Sequence, residues 1–248
     1  MKEKFKIELT SASLHIMAMA FMLCDHLWGT VVGGNDWLTC VGRLTFPIYA
    51  FLLVEGYFHT KSLKKYVLRL FIFALLSEIP FNLAMGSSVF YPVHQNVLFS
   101  FLIAIFLIFL NEKAKAKGKL FLRIITAVST VVLGYLLGIL TMVDYYHAGI
   151  LMVLTFYFFK GKKWWSLLGQ ILCLWYINTE MLGGFTYEFI VFGHTVHFLR
   201  QSLSMFSLIP IWLYHGKQGY HSKWFQYFCY AFYPLHLLIL GLIKMFLI

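Results

Sequence analysis

Apolar residues run along this chain in long blocks separated by short polar clusters. Nine such blocks can be drawn, at roughly 12–32, 37–58, 66–84, 95–111, 120–142, 145–159, 164–181, 189–214 and 224–247. Several approach the length of about 20 residues at which a helix crosses the hydrocarbon of a bilayer. The pattern predicts an all-α integral membrane protein with about nine transmembrane helices, eight and ten being the neighbouring counts. Two blocks fit less well. The one at 145–159 is short, and the one at 189–214 is polar at its start, which leaves room there for a re-entrant or surface piece. The first block is read as a span and not a removable signal peptide: its apolar part is too long and no small-residue cleavage site follows. Residues 1–248 are expected to form one multi-span domain, with no internal repeat.

Composition agrees with the pattern. Hydrophobic residues make up 60% of the chain and charged ones 12%, against about 25% charged in soluble domains. The net charge of +10 would suit nucleic acid if the charges formed a patch, but no RNP, zinc-finger or helix-turn-helix pattern accompanies them. They sit instead on alternate connections. Lys2, Lys4 and Lys6 precede the first block. Lys61, Lys64, Lys65 and Arg69 follow the second, and Lys113, Lys115, Lys117, Lys119 and Arg123 the fourth. Lys160, Lys162 and Lys163 follow the sixth, and Lys217 and Lys223 the eighth, which accounts for seventeen of the twenty basic residues. The intervening connections "GGND", "GSSVFYPV", "VDYY" and "GGFTYE" hold no Lys or Arg. The positive-inside rule then places the amino terminus in the cytoplasm and the carboxyl terminus outside. Some attraction to anionic headgroups comes with the same charges. The cysteines, Cys24, Cys40, Cys173 and Cys229, form no CxxC pair and are read as buried thiols.

Ionisable residues within a span are costly and therefore candidates for function. In "MLCDHLWGTV", Asp25 and His26 are adjacent, and His26 lies about fifteen residues into the first block, roughly 20 Å deep at 1.5 Å per residue. Neighbours on a helix point about 100° apart, so the two cannot face each other, and each needs a partner on another helix. Arg43, Glu78, His94, Gln95, Asn96, Asp144, His147, His194, His197 and Arg200 fall toward the outer side, Glu55 toward the inner end of its block, and His236 near the middle of the last. This bias predicts a polar cavity open to the outside, opposite a rim of lysines. An Arg43–Glu78 ion pair that merely fixes packing, isolated hydrogen-bonded histidines, and interfacial positions for His15 and His59 are the plainer readings. His194 and His197, three apart on one helix face, would suit a metal, but no third ligand is identifiable and no metal site is expected.

"CDHLWG" (24–29), "GRLTFPIYAFLLVEGYFHTKSLKKYVLRLFIFALLSEIPFNLA" (42–84), "HQNVLFSF" (94–101) and "YAFYPLHLLILGLI" (230–243) resemble, in this order, the TraX family. The resemblance implies a bacterial cytoplasmic-membrane acetyltransferase. It would move an acetyl group from cytoplasmic acetyl-CoA to the amino terminus of a pilin or other peptide, or to the amine or hydroxyl of a glycan. It also implies His26 as the catalytic histidine with Asp25 beside it, and Arg43, Glu55, Glu78, Asn96 and His236 as substrate or oxyanion candidates. Histidine can take a proton and return it near neutral pH. Lys64, Lys65 and Arg69 would hold the phosphates of acetyl-CoA, and no metal or nucleic acid takes part. The alternative is a proton-coupled transporter or exporter, since intramembrane Asp, Glu and His also build proton relays.

The alternation of charge makes a topological prediction. Single cysteines placed in the 113–119 and 86–91 connections are expected to react with impermeant reagents from opposite sides of the membrane. Labelling from the same side overturns the nine-span scheme.

Overall fold

The computed structural model describes residues 8–247. Lys2, Lys4 and Lys6, the basic cluster before the first block, lie outside the described residues.

Helix α1 (Ser11–Thr30) opens on Thr10, whose hydroxyl caps the amide of Ser13. The second block is broken in two, α2 (Asp36–Gly42) and α3 (Thr45–His59). The break has a local cause: Pro47 has no N–H to offer the carbonyl of Arg43, four residues back. Helices α4 (Leu63–Gly86), α5 (Val97–Ala116), α6 (Leu120–Leu140), α7 (Tyr146–Phe158) and α8 (Trp164–Tyr176) follow, and α8 widens into a π-helical turn over Ile177–Leu182. Strands β1 (Thr186–Val191) and β2 (His194–Leu199) form an antiparallel hairpin. A 3₁₀ helix (Arg200–Ser207), α9 (Leu208–Leu213) and α10 (Lys223–Leu247) complete the chain.

Among the described residues, five stretches are long and apolar enough to cross a membrane: Asp36–His59, Leu63–Gly86, Val97–Ala116, Leu120–Leu140 and Lys223–Phe246. Their outer faces are apolar. α6 exposes Phe121, Ile124, Val128, Val132, Leu136 and Leu140, a surface that water does not support at this extent. α7 is the inverse. It has 13 residues, and Ala148 to Phe156, apart from Leu151, are buried among α3, α5, α6 and α8. Gly138 lets α6 reach it, because a Cβ there would strike the backbone of Tyr146 and His147. Asn111 Nδ2 ties α5 to α6 through Thr130 Oγ1 at 2.8 Å.

The structure corrects the 189–214 block and, with it, the all-α expectation. Residues 186–199 are a hairpin paired from Thr186↔Leu199 to Val191↔His194. Phe192 and Gly193 make a two-residue turn, both at positive φ (50° and 79°), a geometry that matches strand twist. Only the 3₁₀ segment and α9 remain as helix in that block. His194 and His197 therefore do not share a helix face: three residues apart on a strand, they project to opposite sides.

The basic connections gather at one end. Lys217 pairs with Glu8, Lys162 Nζ donates to the Trp212 carbonyl at 3.4 Å, and Lys160 pairs with Glu55 at 3.1 Å. The opposite end joins the connections that lack Lys and Arg. Across it Gln95 N donates to the Met142 carbonyl and Asp144 N to the Gln95 carbonyl, and Tyr187 of the hairpin donates to Asp36 at 3.1 Å.

Candidate functional site

The adjacent pair on α1 faces two different sets of partners. Asp25 Oδ1 accepts from Thr39 Oγ1 at 2.7 Å and pairs with Arg43 Nη2. α2 comes this close to α1 because Gly42 has no side chain; a Cβ there would overlap that of Asp25. Two further Arg43 nitrogens are engaged, Nε with the Thr39 carbonyl at 3.3 Å and Nη1 with Gln201 Oε1 at 3.2 Å. Gln201 Nε2 passes the chain to Asn178 Oδ1 at 2.9 Å, and Asn178 ends it on the Leu174 carbonyl at 2.7 Å. One buried network thus ties α1, the α2–α3 break, the 3₁₀ helix and the π turn.

His26 turns instead to α10. Its Nδ1 lies 2.6 Å from His236 Nε2. The ring planes differ by 3° with centroids 4.9 Å apart. The nitrogen separation plus two ring radii accounts for that spacing, so the imidazoles lie edge to edge in one plane and are not stacked by their faces. Protons can be placed by valence. His236 Nδ1 is 2.6 Å from the Phe232 carbonyl, which only accepts, so Nδ1 carries the hydrogen. In the neutral pair His236 Nε2 is then the acceptor, and His26 donates to it from Nδ1. His26 Nε2 is left with a lone pair and no hydrogen-bond partner among the described residues. A histidine held by a partner with its second nitrogen bare has the form of a general base.

His26 lines a cavity of about 860 Å³ between α1, α3, α4 and α10. Asp25, Asp144, Tyr145 and Tyr233 surround the same deep end. At the other end are Lys61, Lys65 and Arg69, with Glu55, His59 and His221. The exposed lining residues, such as His59, Lys61, Lys65 and Gln218, are all at the basic end. The main cavity therefore opens there, where the sequence pattern predicts an opening on the opposite side. Arg69 Nε is buried without a partner, and the guanidinium lies 6.0 Å from the ring of Tyr230.

The other predicted residues scatter. Lys64 is exposed outside the cavity, and Lys61 takes its place in the lining. Glu55 stays at the basic end, held by Lys160 and by His59 at 3.7 Å. Glu78 pairs with Asn96, not with Arg43, so the expected Arg43–Glu78 packing pair does not form. Asn96 is buried and spent: Nδ2 serves Glu78 and the Ala74 carbonyl, and Oδ1 caps α5 at Leu98. Asn96 has no donor to spare for an oxyanion, and of the five Arg43 N–H groups all but one on Nη1 already have partners. His15 lines the cavity edge-on to Tyr49. His94 contacts Asp144 at 3.4 Å in the connections. That carboxylate raises the His94 pKa above the ordinary value, outweighing burial. Thr39, Gln201, Asn178 and Tyr145 carry no charge and were not signalled by the sequence, although Thr39 stands one helical turn before Arg43.

Helices long and apolar enough to cross a membrane surround a histidine pair, and a basic-mouthed cavity leads to it, the arrangement of a polar site inside an apolar helical bundle. The chain belongs to the TraX family, whose model, described as TraX protein, matches residues 10–244. A relative from Dichelobacter nodosus, named "Probable fimbrial assembly protein FimC, serogroup H1", is 27% identical over 97% of this chain and 98% of its own length. No solved structure matches.

The ion-pair network makes a stability prediction. Arg43→Met leaves the part-buried Asp25 without its countercharge, and the expected loss is about 1–3 kcal/mol, below that of a fully buried pair because the carboxylate lines the cavity. Adding Asp25→Asn should restore part of it. Unfolding in detergent measures both, and additive losses would show that the two groups do not interact.

Proposed function

We propose that this protein is an acetyl-CoA-dependent acyltransferase of the bacterial cytoplasmic membrane. In this reading it crosses the membrane about nine times, with the amino terminus inside, and acts as a single domain. The observation that carries it is one cavity with a cationic mouth and a bare histidine nitrogen at its far end. Acetyl-CoA has the matching form: an anionic nucleotide, a long thin arm and a thioester at its tip. Lys61, Lys65 and Arg69 meet the phosphates as point charges and guanidinium donors. The thioester lies at His26. The acceptor, a peptide or pilin amine or a glycan amine or hydroxyl, arrives from the other side.

The chemistry is direct transfer. The acceptor's N–H or O–H gives its proton to His26 Nε2 as its lone pair attacks the thioester carbon. The tetrahedral intermediate collapses with cleavage of the C–S bond, and the departing sulfur recovers the proton from His26. His236 holds the ring in the required tautomer and shares the transient positive charge. With Asn96 spent and Arg43 held in the ion-pair network, the hydroxyl of Tyr145, which lines the same deep end, is the donor assigned to the oxyanion. Asp25 does not touch the His26 ring. It acts through Arg43, as a positioning residue for α1.

Release of free CoA from acetyl-CoA on adding an amine-bearing peptide or an amino sugar tests the reading, because a transporter does not cleave the thioester. In that assay His26→Ala is expected to lower turnover by about two to four orders of magnitude while acetyl-CoA binding survives. Activity of the parent should fall as pH drops through the histidine's titration, since an imidazolium cannot accept the proton. A folded His26→Ala protein with near-parental turnover removes His26 from the mechanism.

A second measurement addresses the mouth. Neutralising Lys61, Lys65 and Arg69 together is expected to weaken acetyl-CoA binding by about tenfold or more, equivalent to about 1.4 kcal/mol. The remaining binding should depend less on salt than the parent's does. An unchanged dissociation constant moves the phosphates to another basic connection.

A further inference from the structure

The hairpin of β1 and β2 stands clear of the bundle: from 186 to 199 every residue is exposed except Tyr187 and Leu199. Its base is fixed. Arg200, buried just after β2, has its guanidinium 4.7 Å from the ring centroids of both Trp28 and Phe185, and its backbone N–H donates to the Phe185 carbonyl at 2.9 Å. Asp36 accepts from Tyr187 on Oδ2 and from Trp28 Nε1 on Oδ1, at 3.1 and 3.2 Å. We propose that beyond this base the hairpin lies on the membrane surface at the end opposite the basic connections, with Phe189, Val191, Phe192 and Val196 reaching down among the lipids. The inference rests on the chain crossing a membrane and not on acyl transfer.

Strand alternation sorts the side chains between two faces. Tyr187, Phe189 and Val191 share one with their directly opposed partners Phe198, Val196 and His194. The other carries Thr186, Glu188 and Ile190 opposite Leu199, His197 and Thr195, with Glu188 and His197 3.4 Å apart. The first face is apolar apart from His194 and the Tyr187 hydroxyl; the second is polar apart from Ile190 and Leu199. Tyr187 shows which way the apolar face looks. Its hydroxyl meets Asp36 and Cys40 of α2, so that face is turned toward the end of the bundle. Past α2 the same face continues with Phe189, Val191 and Val196, all of them exposed. In a chain that crosses a bilayer, what lies beyond the bundle in that direction is lipid.

The tip points the same way. Phe192 is 99% exposed and holds a φ of 50°. A bulky residue seldom takes that conformation, and asparagine before glycine is the usual choice for this turn. No packing within the chain offsets the strain, so the ring serves a contact outside it. A lone two-stranded hairpin is also marginal in water unless a face is covered. Size and chemistry decide the cover. Two strands of six residues present a face of roughly 20 Å by 10 Å, or about 200 Å², whereas each side of a stable protein interface buries about 800 Å². Residues 183–199 hold no Lys or Arg, so the contact is made by apolar side chains and not by charge. Both strand edges keep unpaired backbone groups that need water, which excludes burial in hydrocarbon. The headgroup region meets every condition: side chains reach down while the edges stay hydrated. Trp28, Trp37 and Tyr187, gathered around Asp36, are residue types that concentrate at that depth.

The test places photoreactive benzoylphenylalanine at one position at a time in the full-length protein, reconstituted in vesicles of phosphatidylethanolamine with or without phosphatidylglycerol. Adducts are identified by mass. The label in place of Phe192 is expected to give about tenfold more lipid adduct than the label in place of His197 on the polar face, with or without the anionic lipid. The label in place of Phe121 on α6 calibrates a position on a membrane-length helix. Equal lipid labelling of Phe192 and His197 overturns the proposal, as does an adduct of Phe192 with a second copy or another protein. Lipid adduct at Phe121 with none at Phe192 rejects the hairpin's contact alone. No lipid adduct at Phe121 rejects the membrane-spanning reading, and the hairpin's contact with it. Phe192→Asn separates lipid contact from the hairpin's own stability, because asparagine suits the turn. A self-supporting hairpin would then exchange its 186–199 amide hydrogens more slowly, whereas one held by lipid is expected to exchange them about tenfold faster in vesicles. Slower or unchanged exchange overturns the proposal.

Discussion

The Asp25–Arg43 pair is the contact on which the rest of the site depends. A single charge in an apolar interior is costly, and two are tolerated only where their geometry and added hydrogen bonds offset the desolvation. Here the offset recruits four segments: α1 supplies the acid, the broken α2–α3 junction the guanidinium and a threonine, the 3₁₀ helix Gln201, and the π turn Asn178. Each irregular piece of backbone is one that a straight helix would have placed elsewhere. The break before Pro47 directs Arg43 inward, and the π turn presents Asn178. With Asp25 fixed, the next residue on α1 is fixed as well, turned about 100° away toward α10.

That rotation decides the chemistry. His26 is separated from Asp25 by its angle on the helix and meets an imidazole, not a carboxylate. A carboxylate partner would hold the proton on Nδ1 and favour the charged ring. A second imidazole, itself tied down by the Phe232 carbonyl, fixes the tautomer without adding a permanent charge to the cavity's deep end. Thr30 closes the helix behind it, donating to the His26 carbonyl at 2.5 Å.

Much of this was legible in the sequence, for identifiable reasons. Charge alternation survives any error in helix boundaries, so the gathering of basic connections at one end could be read from Lys61 to Lys223. Asp25 and His26 stood out because nothing about packing explains an acid beside a base in an apolar block. Their partners did not stand out. His236 is 210 residues from His26, and no periodicity links them. The hairpin at 186–199 was hidden because aromatic and β-branched residues suit a strand as well as an apolar helix. The exchange of Lys64 for Lys61 follows from phase: on the first turn of α4 neighbouring lysines point in different directions, and the Thr60–Ser62 turn carries Lys61 to the mouth.

The cavity that holds His26 and a smaller one of about 380 Å³, lined by Phe81, Asn82, Met85, Gly86, Tyr91 and His94, lie toward opposite ends, and this has an electrical consequence. Water and mobile ions carry the potential of each side inward with them. What remains as insulator between the chambers is the layer containing Phe81, Tyr233 and the His94–Asp144 contact. In any membrane the chain spans, the voltage falls across that layer instead of across the whole hydrocarbon thickness. A full elementary charge crossing it gains or loses about 2.3 kcal/mol per 100 mV.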